Sequence, residues 1–309
     1  MTKTRAELSL TRSASKDIYR VLKGFAASLT LALLMSLIGL GGPSSAISRD
    51  MSGNGYLSGN DNLKGVWADL KQMVYKDRTI LPALTEVSLK TPYRAKDDRR
   101  VPIDVKAKFD DGRTVKKVTI IIDENPMPVS AIFEMKKQRK AVKFATHMRF
   151  NGPSPIRVIV EASDGKLYMK EQYVKTSGLG ACAAPPIGDP KKLLVNLGTM
   201  KLEPAKTAEN TRRATQLKRA AHLQIKHPNL TGLQMDQITL QYILARFIKT
   251  IEVAHGKEDL FSLTASISLS ENPDLTFDYL FNGSEKITVK AVDTDDTKFE
   301  KSFPVGLDS

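Results

Sequence analysis

From Thr85 the period of the apolar residues changes to two, and this pattern rules out most folds. The run "VPIDVKAKF" sets Val101, Ile103, Val105, Ala107 and Phe109 against polar neighbours. Side chains of a strand alternate between faces, so a period of two buries one face and wets the other. Asp110-Asp111-Gly112 then reads as a turn. "KKVTIII" and "VSAIFEM" continue as strands on either side of "DENPMP". "KFATHMRF" alternates again, and "IRVIVEA" turns at Asp164-Gly165 into "KLYMKEQYV". About seven short strands at this spacing predict a β-sandwich ending at Val174. A second series starts near Leu193, with "RAAHLQIKHP", "DLFSLTASISLS", "LTFDYLF", "EKITVKAV" and "KFEKSFPV", and turns at Asn272-Pro273 and Asn282-Gly283. "TLQYILARFIKTIEVAHG" reads as one long strand or a strand pair. The predicted class is all-β, with two immunoglobulin-like β-sandwiches in tandem.

One helix is expected before the strands. In "NLKGVWADLKQMVYKDR", Leu63, Val66, Trp67, Leu70, Met73 and Val74 recur at spacings of three and four, behind Asn60 or Asp61 as cap. Its apolar face should pack on the sandwich that follows. The N-terminus reads as an export signal. A basic stretch holding Lys3, Arg5, Arg12, Lys16, Arg20 and Lys23 precedes "GFAASLTLALLMSLIGLGG", and Ser44 and Ala46 fit a peptidase site. The expectation is cleavage after Ala46, a periplasmic protein and no stable membrane insertion. Retention of the segment as an anchor is the alternative. The organisation is then 1–46 signal peptide, 60–176 first sandwich with its helix, 177–192 a Gly/Ala/Pro linker arm, and 193–309 second sandwich.

The formal charge of the chain is +13, and removing the six basic and two acidic residues of 1–46 leaves +9. Such a balance suits anionic small molecules or acidic proteins. Nucleic acid is not expected as a partner, because Lys and Arg are spread along the chain and aromatics are only 6%. His147, His222, His227 and His255 are scattered and form no spaced metal pair. His147 and His227 read as structural. No phosphate loop, Ser nucleophile elbow or haem attachment motif is present. No cofactor, metal or catalytic residue is therefore assigned, and the chain is not read as an enzyme.

The remaining chemistry is a single thiol, Cys182, within "SGLGACAAPP". Exported proteins keep their structural cysteines in pairs, so a lone one is inert, paired between chains, or kept for chemistry. Small neighbours, with Gly178 and Gly180 as flexible points of the arm, leave the sulfur unshielded and the backbone free to reach. No apolar strand surrounds Cys182 in the sequence, so an accessible, partly ionised thiol is expected, with Lys175, Lys191 and Lys192 favouring the thiolate.

The order of several elements resembles a known pair of proteins. "HPNLTGL", the lysine-bearing run "ARFIKTIEVAHG" and Asn272-Pro273 before an alternating strand are similar to SoxZ. "VPIDVKAKF", "ENPMPVSAIFEM", "IRVIVEASDGKLY" and "YVKTSGLGAC" are similar to SoxY. The resemblance is to the fused SoxYZ-like type associated with quinoprotein dehydrogenases. It implies that the halves pair within one chain and that Cys182 matches the SoxY arm cysteine, which carries sulfur intermediates covalently between enzymes. The implied partners are Sox-type enzymes, or a quinoprotein dehydrogenase or its cytochrome c. Ala181, Ala183 and Ala184 replace family glycines, and the arm is tethered at both ends. The alternative function is an accessory module that docks on the dehydrogenase or cytochrome, with Cys182 incidental.

Overall fold

The computed structural model describes residues 61–178, 180–186, 190–205 and 218–305. The signal segment and the cap at Asn60 lie outside them. The first half opens with α1 (Asp61–Tyr75) and continues as β1 (Ile80–Pro82), β2 (Val87–Lys90), β3 (Val101–Lys108), β4 (Val115–Ile122), β5 (Val129–Arg139), β6 (Ala141–Met148), β7 (Ser154–Ala162) and β8 (Leu167–Val174). The second half holds α2 (Pro190–Leu193), β9 (Met200–Pro204), β10 (Lys218–Ile225), β11 (Ile248–His255), β12 (Glu258–Ala265), β13 (Asp274–Leu280), β14 (Lys286–Asp293) and β15 (Lys298–Pro304).

Each half is a two-layer β-sandwich, and the two are joined strand to strand. The larger sheet runs β1-β8-β7-β4-β5-β12-β11-β14-β15, and the smaller runs β2-β3-β6-β13-β10-β9. β5 pairs antiparallel with β12 from Ala131 opposite Ala265 to Met135 opposite Phe261. β6 pairs with β13, with Phe144 opposite Phe277. Open edges would leave rows of unpaired amides and carbonyls at β5 and β6, and β12 and β13 cover both. Between the sheets, Phe133 stacks on Phe144 with ring centroids 4.2 Å apart. Phe261 meets Phe144 edge-on at 5.1 Å, and Phe277 meets Phe261 edge-on at 5.2 Å. The expected intramolecular pairing is thus one continuous core across both halves.

Strand burial follows position. β3 alternates buried and wet residues as its sequence does. β4 buries Val118 to Ile122 without a break, because the sandwich core covers one face and α1 lies over the other. Leu70 and Tyr75 of α1 are buried, and Arg157 of β7 stacks on Trp67 at 4.3 Å.

Two expectations need correction. Residues 239–247 are not strand, and β11 starts only at Ile248. Both edges of β11 are already taken by β12 and β14, and the preceding segment makes only the isolated bridges Leu230–Arg246 and Met235–Tyr242. In the sequence Pro185, Pro186, Gly188 and Pro190 argue against a regular element in the linker, yet α2 forms there. Pro190 opens it, at the helical position where a missing N–H costs least.

Candidate functional site

Beyond β8 the chain bends at Gly178 and Gly180, whose φ values of 78° and 73° lie in the left-handed region. Gly180 O then accepts from Ala183 N at 2.9 Å and from Ala184 N at 3.1 Å. The arm is therefore a single tight turn at this point, with both glycines shaping it. The first half supports it from beneath. Cys182 N donates to Asn151 Oδ1 at 3.3 Å, and Asn151 N donates to Asn125 Oδ1 at 2.8 Å. Asn125 Nδ2 donates to Arg149 O and to Ser268 Oγ. The second half closes over it. Thr231 Oγ1 donates to Cys182 O at 2.6 Å, and Gln234 Nε2 donates to Ala184 O at 3.0 Å.

Cys182 is 0% exposed, which corrects the expectation of an accessible, partly ionised thiol. The residues that bury it lie far away in sequence, in the β4–β5 loop, after β6 and after β10. Burial pushes the thiol up to about 11, and the Arg149 guanidinium offsets part of that rise. Arg149, and neither Lys175 nor Lys192, is the cation that acts on it among the described side chains. Lys192 is exposed, and the side chain of Lys191 lies outside the described residues. Arg149 is 2% exposed and donates to three carbonyls, those of Ile267 (3.1 Å), Leu269 (2.7 Å) and Pro228 (3.3 Å). Burial lowers its own affinity for the proton, but a guanidinium stays charged at neutral pH. Among the described residues it has no carboxylate within ion-pair distance. The site therefore joins a neutral buried thiol to a buried cation without an acidic partner.

A brace holds the second half's contribution in place. His227 is fully buried, its Nδ1 accepts from Asn229 N at 3.1 Å, and its Nε2 lies 3.6 Å from Asp293. Burial lowers His227 from its ordinary value. Asn229 donates to Leu269 O and Ser270 O and accepts from Ile248 N. These bonds fix the segment "HPNLTG" from which Thr231 reaches Cys182. His147 lies on β6 and pairs with Asp274 at 2.9 Å, a structural role.

Five residues of the site escaped the sequence reading: Asn125, Arg149, Asn151, Thr231 and Gln234. Asn125 and Thr231 sit inside two of the elements singled out for resemblance, without their roles being evident. Arg149 had a signal of its own, a charge between Met148 and Phe150, both fully buried. Asn151 and Gln234 carried none.

Two family models match the chain in order. The sulfur oxidation protein SoxY matches residues 71–182, and the sulphur oxidation protein SoxZ matches residues 209–304. Similar solved structures include the sulfur carrier protein SoxY from Chlorobium limicola f thiosulfatophilum, at 23% identity and a TM-score of 0.30, covering 37% of this chain and 98% of that one. A putative superoxide reductase from Thermotoga maritima shows 13% identity and a TM-score of 0.25, covering 33% and 89%. A superoxide reductase (neelaredoxin) from Ignicoccus hospitalis shows 10% and 0.22, covering 29% and 79%. At these scores nothing about function follows from the structural likenesses. No curated protein matches.

Proposed function

The chain belongs to the SoxY and SoxZ families of sulfur-oxidation proteins, fused in tandem in one polypeptide, and we propose that it is a non-enzymatic periplasmic carrier whose Cys182 covalently holds a sulfur intermediate, of the thiosulfate type or related, for partner enzymes. One observation carries this reading: the SoxY match ends on Cys182, and polar residues from both matched regions converge on that residue. Residues 60–176 and 193–309 are then the two halves, and 177–192 the arm. Export through residues 1–46, with cleavage after Ala46, belongs to the same proposal. Among the described residues no helix is long and apolar enough to cross a membrane.

The seat of the arm is built for release. Among the described residues three hydrogen bonds hold the turn from outside, to Asn151, Thr231 and Gln234. At about 1 kcal/mol net for each, opening costs about 3 kcal/mol, which leaves roughly one molecule in 150 open. In the seat the thiol is protonated and inert, which protects it from oxidation. Released into water it regains its ordinary acidity and its reactivity. Loading with thiosulfate joins Sγ to the terminal sulfur. The thiol proton leaves to water, and two electrons pass to an acceptor, for which a partner cytochrome c is proposed. The adduct ends in an anionic sulfonate, and Arg149 supplies the seat with a cation that makes no ion pair with a carboxylate among the described residues. The partners are Sox-type enzymes or a quinoprotein dehydrogenase with its cytochrome.

The burial of Cys182 and its raised pKa favour a second reading, a docking module in which the cysteine is incidental. Intact mass of protein purified without reductant from its native host separates the two. A reductant-sensitive adduct on Cys182 is expected of the carrier. An unmodified thiol, with a Cys182→Ser strain that keeps full pathway activity, leaves the docking module.

A further inference from the structure

The loop between β10 and β11, which holds the arm, also carries an apolar tip in water. Ile238 and Leu244 are 93% and 88% exposed, and Leu240 and Tyr242 are exposed with them, on every second residue. The tip is firmly built. Met235 bridges to Tyr242, Asp236 N donates to Gln241 O at 2.9 Å, and Asp236 Oδ1 accepts from Ile238 N and Thr239 N. Leu240 sits at a φ of 56°, a left-handed conformation that costs an L-residue with a side chain roughly 1–2 kcal/mol. At the base, Gly232 (φ +83°) approaches Ala245 so closely that a Cβ there would meet the Ala245 Cβ at 3.0 Å. Folding gains nothing from this display. Strained backbone that holds apolar side chains out in water marks a binding element.

The charge pattern selects the occupant. From Gln237 to Ala245 no residue is charged, in a chain where 26% are. Below the tip, Arg246 pairs with Asp293 and Asp295, and Lys249 pairs with Asp296. A surface bordered by compensated charges offers no cationic grip to an anionic membrane. It fits an uncharged apolar cleft of a protein. The link to the arm says which protein. Ile243 N donates to Gln234 O at 2.8 Å, while the side chain of Gln234 holds Ala184 O. One residue thus joins the tip to the seat of Cys182.

We propose that the Gln234–Leu244 tip is the docking element for the protein that loads or unloads Cys182, and that this protein receives the tip in an uncharged apolar cleft. The inference rests on the carrier reading and adds the recognition surface. Clasping the tip displaces Gln234, frees Ala184 O and opens the arm where its reaction partner waits.

The test compares wild type with the double variant Ile238→Asp, Leu244→Asp, both expressed in the native host and purified without reductant. The variant is expected to keep its thermal midpoint and the alkylation rate of Cys182 in the purified protein, and to lose the reducible adduct at least tenfold. Leu240→Gly suits the strained φ and removes a tip side chain, so it folds at least as well and is expected to lose adduct too. A variant with wild-type adduct overturns the docking proposal and leaves the carrier standing. A wild type without adduct sinks the carrier reading and the inference with it. Light scattering that shows a wild-type dimer dissolved by the variant assigns the tip to a second copy instead. Flotation of wild type, but not variant, with phosphatidylglycerol–phosphatidylethanolamine vesicles assigns it to lipid.

Discussion

The seam between the two halves and the seat of the arm both join the first half to the second, with opposite materials. The seam is four phenyl rings, Phe133 and Phe144 from one side and Phe261 and Phe277 from the other, inside a continuous core. The seat is amide, hydroxyl and guanidinium groups around one sulfur. Phenyl rings have no good alternative in water, whereas a hydrogen-bonded turn exchanges its partners for water at about 0.5–1.5 kcal/mol per bond. The seam is therefore the harder of the two to open and the seat the easier, which is what the proposed carrier requires: halves that stay together and a thiol that can leave its seat.

The largest effect should come from breaking the seam. Phe261→Ala removes a ring that touches Phe133, Phe144 and Phe277, and should cost about 3–5 kcal/mol. Urea unfolding should move to a lower midpoint and remain one transition for both halves. Two separated transitions would show that the core is not shared.

The seat should respond to pH. The seated thiol titrates at about 11 against an ordinary 9.0, because burial favours its neutral form. The seated state therefore binds the proton more tightly, so its advantage is full below pH 9 and is lost progressively up to about pH 11. Across that window the closed state should weaken by as much as about 3 kcal/mol, at about 1.4 kcal/mol per unit. Hydrogen exchange at Ala183 and Ala184, corrected for its intrinsic pH dependence, should accelerate over this range in wild type and stay flat in Cys182→Ser.

A smaller effect is expected at Gly180. Its φ of 73° costs any other residue about 1–2 kcal/mol. A Cβ there would meet Asn151 Oδ1 at an ordinary 3.5 Å, so the cost lies in the backbone. Gly180→Ala should speed native alkylation of Cys182 about five- to thirtyfold, while the global midpoint falls only by what the same roughly 1–2 kcal/mol accounts for. Smallest of all, Thr231→Val deletes one bond to Cys182 O and should speed alkylation roughly fivefold, for about 1 kcal/mol. A rate unchanged in both variants would mean that these contacts do not hold the arm.

The difference between seam and seat also decides what the sequence could reveal. The strand at Val101–Lys108 was legible because a half-buried strand prints its burial as a period of two. The pairing of β5 with β12 was not, since periodicity marks a buried face and says nothing about which edge meets which. Residues 239–247 misled because they are apolar and alternating without being buried, so the pattern of a strand belongs there to a display loop. Cys182 misled in the opposite sense. Its near neighbours are small and its burial comes from Asn151 and Thr231, which only the fold brings together. The elements around Asn125 and Thr231 stood out as resemblance, but their common purpose appears only where Thr231 bonds to the arm and Asn125 holds Asn151 beneath it.

The most direct measurement is the alkylation rate of Cys182 in native protein as urea rises from zero to just below the unfolding transition. A reversible seat requires labelling through a local opening of about 3 kcal/mol, nearly independent of urea because little surface is exposed. The expected result is a flat, measurable rate far above that allowed by global unfolding, and faster still in Thr231→Val. A rate that falls to the global limit and climbs with the full urea dependence of unfolding would place Cys182 in a permanent core and contradict the reversible seat.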